Sequence, residues 1–124
     1  MRELRAFLPP LALMAVIFVL SGQESLDSGL GWIDTVGRKL VHFGEYALLC
    51  ALWWRALSAL LAHDHALLLA AAVASAYAAS DEYHQSFVAG RQGAPVDWLI
   101  DTAGAVAAAV LIHRRSLSRR RAPA

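Results

Sequence analysis

Three short stretches hold most of the side chains in this chain that could do chemistry. RKLVHFGEY (38–46) sets His42 and Glu45 three residues apart, one turn of a helix. DEYHQSFVAGRQ (81–92) gathers Asp81, Glu82, His84, Gln85 and Arg91, and APVDWLID (94–101) adds Asp97 and Asp101. A histidine beside a carboxylate is a general acid/base pair, which makes His42, Glu45, Glu82, His84 and Asp97 the catalytic candidates. Carboxylates with one or two histidines also suit Mg, Mn, Ca or Zn, with Asp81, Glu82, Asp97 and Asp101 as candidate metal ligands. Arg91 has the planar fork that binds a phosphate bidentately.

Periodicity says how these groups are presented. On a helix of 3.6 residues per turn His42, Glu45, Tyr46 and Leu49 share a face. Tyr77, Asp81, His84 and Gln85 fall roughly in line, while Glu82 points about 100° from Asp81. Asp97 and Asp101 share a face that continues through Gly104, Ala105 and Ala108. Asp97 has an ordinary reading, because an acid in the first turn after Pro95 offsets the helix dipole. Asp101 lies a turn deeper, beyond that effect, and needs a partner. Ala71, Ser75 and Ala79 form a small-xxx-small row suited to close helix packing.

What must position these groups is a set of apolar segments. The chain has 124 residues, 58% of them apolar and 17% charged, below the roughly 25% charged residues of soluble domains. Its apolar blocks predict a single all-α domain of four membrane spans, at 6–22, 40–61, 66–83 and 95–112, with a basic tail at 113–124. The first block also has the plan of a signal peptide, but Val19-Leu20-Ser21 is a poor cleavage site, and a retained helix is expected. Ser21–Gly37 reads as a loop carrying Trp32 as an interfacial anchor, with the second helix opening at Arg38. Eight basic residues (Arg2, Arg5, Arg55, Arg114, Arg115, Arg119, Arg120, Arg121) fall on one side and three (Arg38, Lys39, Arg91) on the other. That bias places both termini in the cytoplasm, with the basic tail against anionic head groups. The one cysteine, Cys50, excludes a disulfide framework and reads as a packing residue. No nucleic-acid motif or dinucleotide fingerprint is present.

With that topology the three stretches converge on the outer leaflet. Ionisable groups at one face only do not make an ion pathway, which needs polar residues across the whole thickness. Three readings of the cluster stay open. In the structural one, Arg91 pairs with Asp97 or Glu82 and His42 with Glu45 or Asp81, pinning the helices. In the enzymatic one, a divalent metal or an acid/base pair acts on a lipid phosphate. In the third, the cluster binds a lipid head group or lipid-linked precursor without chemistry. The excess of acids over Arg91 favours a metal or cationic group over a bare phosphate.

Three blocks carry a family resemblance: KLVHFGEY (39–46), DEYHQSFVAGR (81–91) and DWLIDTAG (97–104). Their combination of H-F-x-x-Y, E-x-x-Q-x-F-V-x-G-R and D-x-x-x-(N/D)-x-x-G resembles the VanZ-like family of small bacterial membrane proteins. The resemblance implies a multi-pass protein of about four helices in the bacterial inner membrane. It also implies an envelope role, since the founding member is linked to resistance to the glycopeptide teicoplanin. By motif match the residues of interest are His42, Phe43, Tyr46, Glu82, Gln85, Gly90, Arg91, Asp97 and Gly104, with Phe43, Tyr46, Gln85, Gly90, Arg91 and Gly104 as binding candidates. Ala89 stands where the family has proline, which loosens the turn, and Asp101 stands where many members have asparagine, which adds a charge. Expected partners are membrane lipids or a lipid-linked precursor, with a homo-oligomer or an envelope protein as further candidates. The divalent metal is the one cofactor the residue types suggest.

Overall fold

The computed structural model describes residues 2–21, 31–87 and 95–121, and every element in them is helical. Helices α1 (Arg2–Ala6) and α2 (Leu8–Ser21) make one N-terminal rod with a turn at Phe7. The turn follows from Pro9 and Pro10. Neither has an N–H to donate, and their rings crowd the carbonyls of the preceding turn. The ladder resumes with Leu11 N donating to Phe7 O at 3.3 Å.

Three longer helices follow: α3 (Trp32–Leu57), α4 (His63–Gln85) and α5 (Pro95–Arg121). At 1.5 Å per residue they are about 39, 35 and 40 Å long, each more than the roughly 30 Å hydrocarbon thickness of a bilayer. Among the described residues two stretches are long and apolar enough to cross a membrane by length and composition, Arg2–Ser21 with mean hydropathy 2.0 and Pro95–Arg121 with 1.5. In α3 and α4 the ionisable residues near the ends dilute the apolar average.

Two boundaries differ from the sequence reading. Residues 32–37 are the first turns of α3, not a loop. Gly31, at φ +60°, makes the break just before them, and Asp34 supplies a favourable charge in the first turn. At the other end, α5 runs on through the basic residues to Arg121 without leaving the helix.

The molecule is built with small and polar residues inside and large apolar ones outside. Ala66, Ala70, Ala74 and Ala78 are fully buried, a stripe of α4 at every fourth residue. The fully buried row is one position before the expected Ala71, Ser75 and Ala79; Ala71 and Ser75 border it half-buried, and Ala79 is exposed. The side chains sharing this interior are Tyr46, Leu49 and Cys50 of α3, Ala105 of α5 and Ile17 of α2. Leu68 is 71% exposed, Leu111 60% and Phe18 53%. Lipid is as apolar as leucine, so burying large side chains gains nothing there, and close backbone packing holds the helices instead. Gly104 marks the closest approach. A Cβ placed on it would overlap the backbone carbonyl of Phe43.

Candidate functional site

Where the middle of α3 (His42–Tyr46) meets the end of α4 and the first turns of α5, the bundle carries a polar interior. Asp101 is 1% exposed and Asp81 3%, yet neither has a lysine or arginine partner among the described residues. Two separate networks hold them. His42 Nδ1 of α3 lies 3.3 Å from Asp101 Oδ1 of α5. The contact falls outside hydrogen-bond geometry, and it is an ion pair when the imidazole is protonated. It exists because Gly104, one turn below Asp101, lets the α3 backbone at Phe43 come in.

Asp81 is the hub of the second network. Its Oδ2 accepts from Tyr46 Oη of α3 at 3.3 Å and from Gln85 Nε2, one turn on in α4, at 3.3 Å. Gln85 Nε2 also reaches Ser21 Oγ at the end of α2, at 3.4 Å. Asp81 and its partner Gln85 thus tie α2, α3 and α4 together. Lower down, Ser75 and Thr102 hydroxyls meet at 2.9 Å, and Trp98 Nε1 donates to Ser75 O at 3.0 Å, joining α4 to α5. Tyr77 Oη donates to Met14 O, joining α4 to α2.

The sequence candidates divide as follows. His42, Tyr46, Asp81, Gln85 and Asp101 come together in the two networks. Glu45 is half-buried and within electrostatic reach of His42, Asp81 and Asp101, and Asp97 is within reach of Asp101. Gly104 and Phe43 act through their backbones. His84 stacks on Phe18 of α2 with ring centroids 4.4 Å apart, and its Nδ1 is buried without a hydrogen-bond partner. Glu82 is half-buried. Gly90, Arg91 and Ala89 lie outside the described residues, and so do the Arg91 pairings with Asp97 or Glu82. The pairing of His42 with Glu45 or Asp81 is replaced by Asp101, because the Gly104 approach brings α5 rather than α4 to that side of His42. Sequence reasoning missed Ser21 and Thr102 as polar partners. Ser21, which the sequence places at the start of a loop, is the last residue of α2, and its position directly after an apolar run was a usable signal for an interior polar contact.

Chemically, the site presents buried carboxylate oxygens with capacity to spare. Asp81 Oδ1 accepts no hydrogen bond, and Asp101 Oδ1 has only the His42 contact. Holding His42 by Nδ1 leaves Nε2 as the nitrogen that could exchange a proton, on a side chain 22% exposed. Carboxylate atoms with a histidine can take a cationic group or a divalent metal. The side chains that already gather three metal-capable atoms within 4.8 Å, among the described residues, are elsewhere: His63, Asp64 and His113, at the opposite end.

These features define a class, an all-helical membrane protein with large apolar residues outward and a polar site buried at one end of its bundle. Within that class the chain belongs to the VanZ/LLP1 family, whose profile matches residues 5–117. No curated protein and no solved structure matches it.

Proposed function

We propose that this is a four-span protein of the bacterial inner membrane with both termini cytoplasmic, whose polar end faces outward and binds a lipid head group or lipid-linked envelope precursor. The observation that carries the reading is the spare capacity at Asp81 Oδ1, His84 Nδ1 and the Asp101 carboxylate, all buried. Buried polar atoms are ordinarily satisfied, and leaving them so costs free energy unless a ligand or water completes them. The acid-rich composition favours a ligand with a cationic or hydrogen-bond-donating head, such as an amine, an amide or sugar hydroxyls. Family membership supports an envelope role, and a contribution to glycopeptide resistance belongs to the same reading. The test is a lipid and precursor profile of cells lacking the protein, complemented with wild type or with Asp81→Asn. Expected is a changed profile that wild type restores and Asp81→Asn, at equal abundance, does not. An unchanged profile on deletion overturns the reading.

A second reading has its own observation, the Asp101–His42 dyad. A carboxylate that fixes one imidazole nitrogen and frees the other is the arrangement of a general base, and with a metal on the nearby acids it could activate water against a lipid phosphate. Metal analysis of purified wild type, His42→Ala and Asp101→Ala tests it. Stoichiometric metal lost in both variants supports it, and metal-free protein that restores the profile removes it. The purely structural reading is met by the same profile: if variants that keep their stability all restore it, the networks serve only to pin the helices.

A further inference from the structure

The opposite end of the bundle carries a second polar feature that the proposed function does not use. The end of α3, the start of α4 and the last turns of α5 border an open cavity of about 450 Å³. Its lining is Trp54 from α3, His63 from α4, and Ile112, Arg115, Ser116, Arg119 and Arg120 from α5. Asp101 and Arg115 are 14 residues apart on one helix, so this cavity lies about 21 Å along α5 from the buried acids.

We infer that this cavity is a binding site for the phosphate group of an anionic membrane lipid, distinct from the acid-rich site. Arg115 and Arg119 are one helical turn apart and Arg120 is adjacent, so three guanidinium groups border one opening. Guanidinium forks match phosphate oxygens in geometry, and Ser116 adds a hydroxyl. His63 Nε2 is buried without a hydrogen-bond partner. Ala62, at the N-cap of α4, offers no side chain to the first-turn N–H groups, so the positive end of that helix adds to the field. The nearby acid, Asp64, is met by His113 Nδ1 at 3.8 Å. The His63, Asp64 and His113 group has the ligand types for a metal, but three arginines on the same cavity repel a cation and attract an anion. Trp54 and Ile112 supply the apolar side that an acyl-linked head group requires and a free ion does not. Basic pockets between helices on the cytoplasmic side are where anionic head groups bind in membrane proteins.

The rest of the tail provides the control. Arg114 and Arg121 lie on another surface of α5, with Leu117 and Ser118, away from Trp54 and His63. Arg115→Gln/Arg119→Gln and Arg114→Gln/Arg121→Gln therefore remove equal charge, from the cavity and from outside it. The full chain is reconstituted into phosphatidylcholine nanodiscs containing phosphatidic acid, and retained lipid is counted by native mass spectrometry. A second arm uses pure phosphatidylcholine nanodiscs with added inorganic phosphate. Loss of about tenfold in phosphatidic acid retention for the cavity pair, and less than twofold for the control pair, is expected from losing charged hydrogen bonds to phosphate. Phosphate bound in the second arm and lost in the cavity pair supports recognition of the phosphate group alone, and phosphatidic acid retained without phosphate binding assigns the lipid as its source. Equal losses in both pairs reduce the feature to diffuse basic charge and overturn the proposal, as does retention unchanged in the cavity pair. Circular dichroism checks that both variants keep their helix content. Because the acid-rich site is untouched in these variants, either site can fail its test while the other passes.

Discussion

Gly104 of α5 sits directly against the carbonyl of Phe43 in α3, and the neighbouring His42 reaches Asp101 because of it. One missing side chain thus sets the distance between two helices and, through it, the pairing of a buried acid. The relationship links packing to the site, and it can be broken at either link.

At the packing link, Gly104→Ala should destabilise the protein by about 3 kcal/mol, the upper range for overpacking, since the clash is with backbone and cannot be relieved by a rotamer change. Gly44→Ala, in the same region of α3, meets nothing within 4 Å and should be neutral or stabilising by up to about 1 kcal/mol. Thermal unfolding in detergent compares the two. Equal stability of both variants would show that α3 and α5 do not meet at this point.

At the pairing link, His42→Ala strands a carboxylate that is 1% exposed. Fully buried pairs lose about 3–5 kcal/mol on such truncation, and the 22% exposure of His42 lowers the expectation to about 2 kcal/mol. Asp101→Asn in the same background should recover more than half of that, because a neutral amide is less costly to leave unpaired. A double-mutant cycle measures the coupling, and additive effects would mean that the 3.3 Å contact contributes nothing.

Asp81 separates holding from binding. Both of its hydrogen bonds fall on Oδ2, and an asparagine oxygen can still accept both, more weakly for lack of charge but with a lower desolvation cost. Asp81→Asn should therefore stay within about 1 kcal/mol of wild type, while Tyr46→Phe, which removes a donor, should lose about 1–2 kcal/mol. If Asp81→Asn unfolds the protein, the charge itself is structural and the head-group reading loses its main residue.

The side of the membrane is open to direct labelling. Ser86 and Ser58 are exposed residues just beyond α4 and α3, at opposite ends of the bundle. In a Cys50→Ala background, Ser86→Cys should react with an impermeant maleimide added to intact cells or spheroplasts, and Ser58→Cys only after lysis. The reverse pattern would turn the polar end toward the cytoplasm and exclude an outward-facing site. Wild-type Cys50, fully buried, should stay unlabelled in both conditions.

Much of this protein is legible in its residues alone. The apolar blocks specify helices, because a bilayer requires every backbone group to be satisfied internally and continuous apolar runs of this length suit helices rather than the short alternating strands of a barrel. The placement of Asp81 in the last turns of α4 and of Asp97 and Asp101 in the first turns of α5 follows from counting along those blocks, whereas His42 and Tyr46 lie mid-way along α3, because that helix begins at Trp32 rather than Arg38. The H-F-x-x-Y, E-x-x-Q and D-x-x-x-D-x-x-G patterns pointed to the family that the profile over residues 5–117 identifies.

Partner choice was decided only by tertiary structure. Helical periodicity says which residues share a face, but not which face of which neighbour it meets. That depends on where backbones can approach, and here Gly104 and the Ala66, Ala70, Ala74, Ala78 stripe made the choice. The stripe expected from Ala71, Ser75 and Ala79 is equally small in composition, and only packing centres the buried face of α4 on the neighbouring row, leaving Ala71 and Ser75 at its border and Ala79 outside. So His42 went to Asp101 rather than to Glu45, one turn away on its own helix, and Asp81 went to Tyr46 and Gln85. The residue types determined that buried acids would need partners. The close approach of α3 and α5 decided which partners they found, because a charge contact depends on distance and backbone packing sets it.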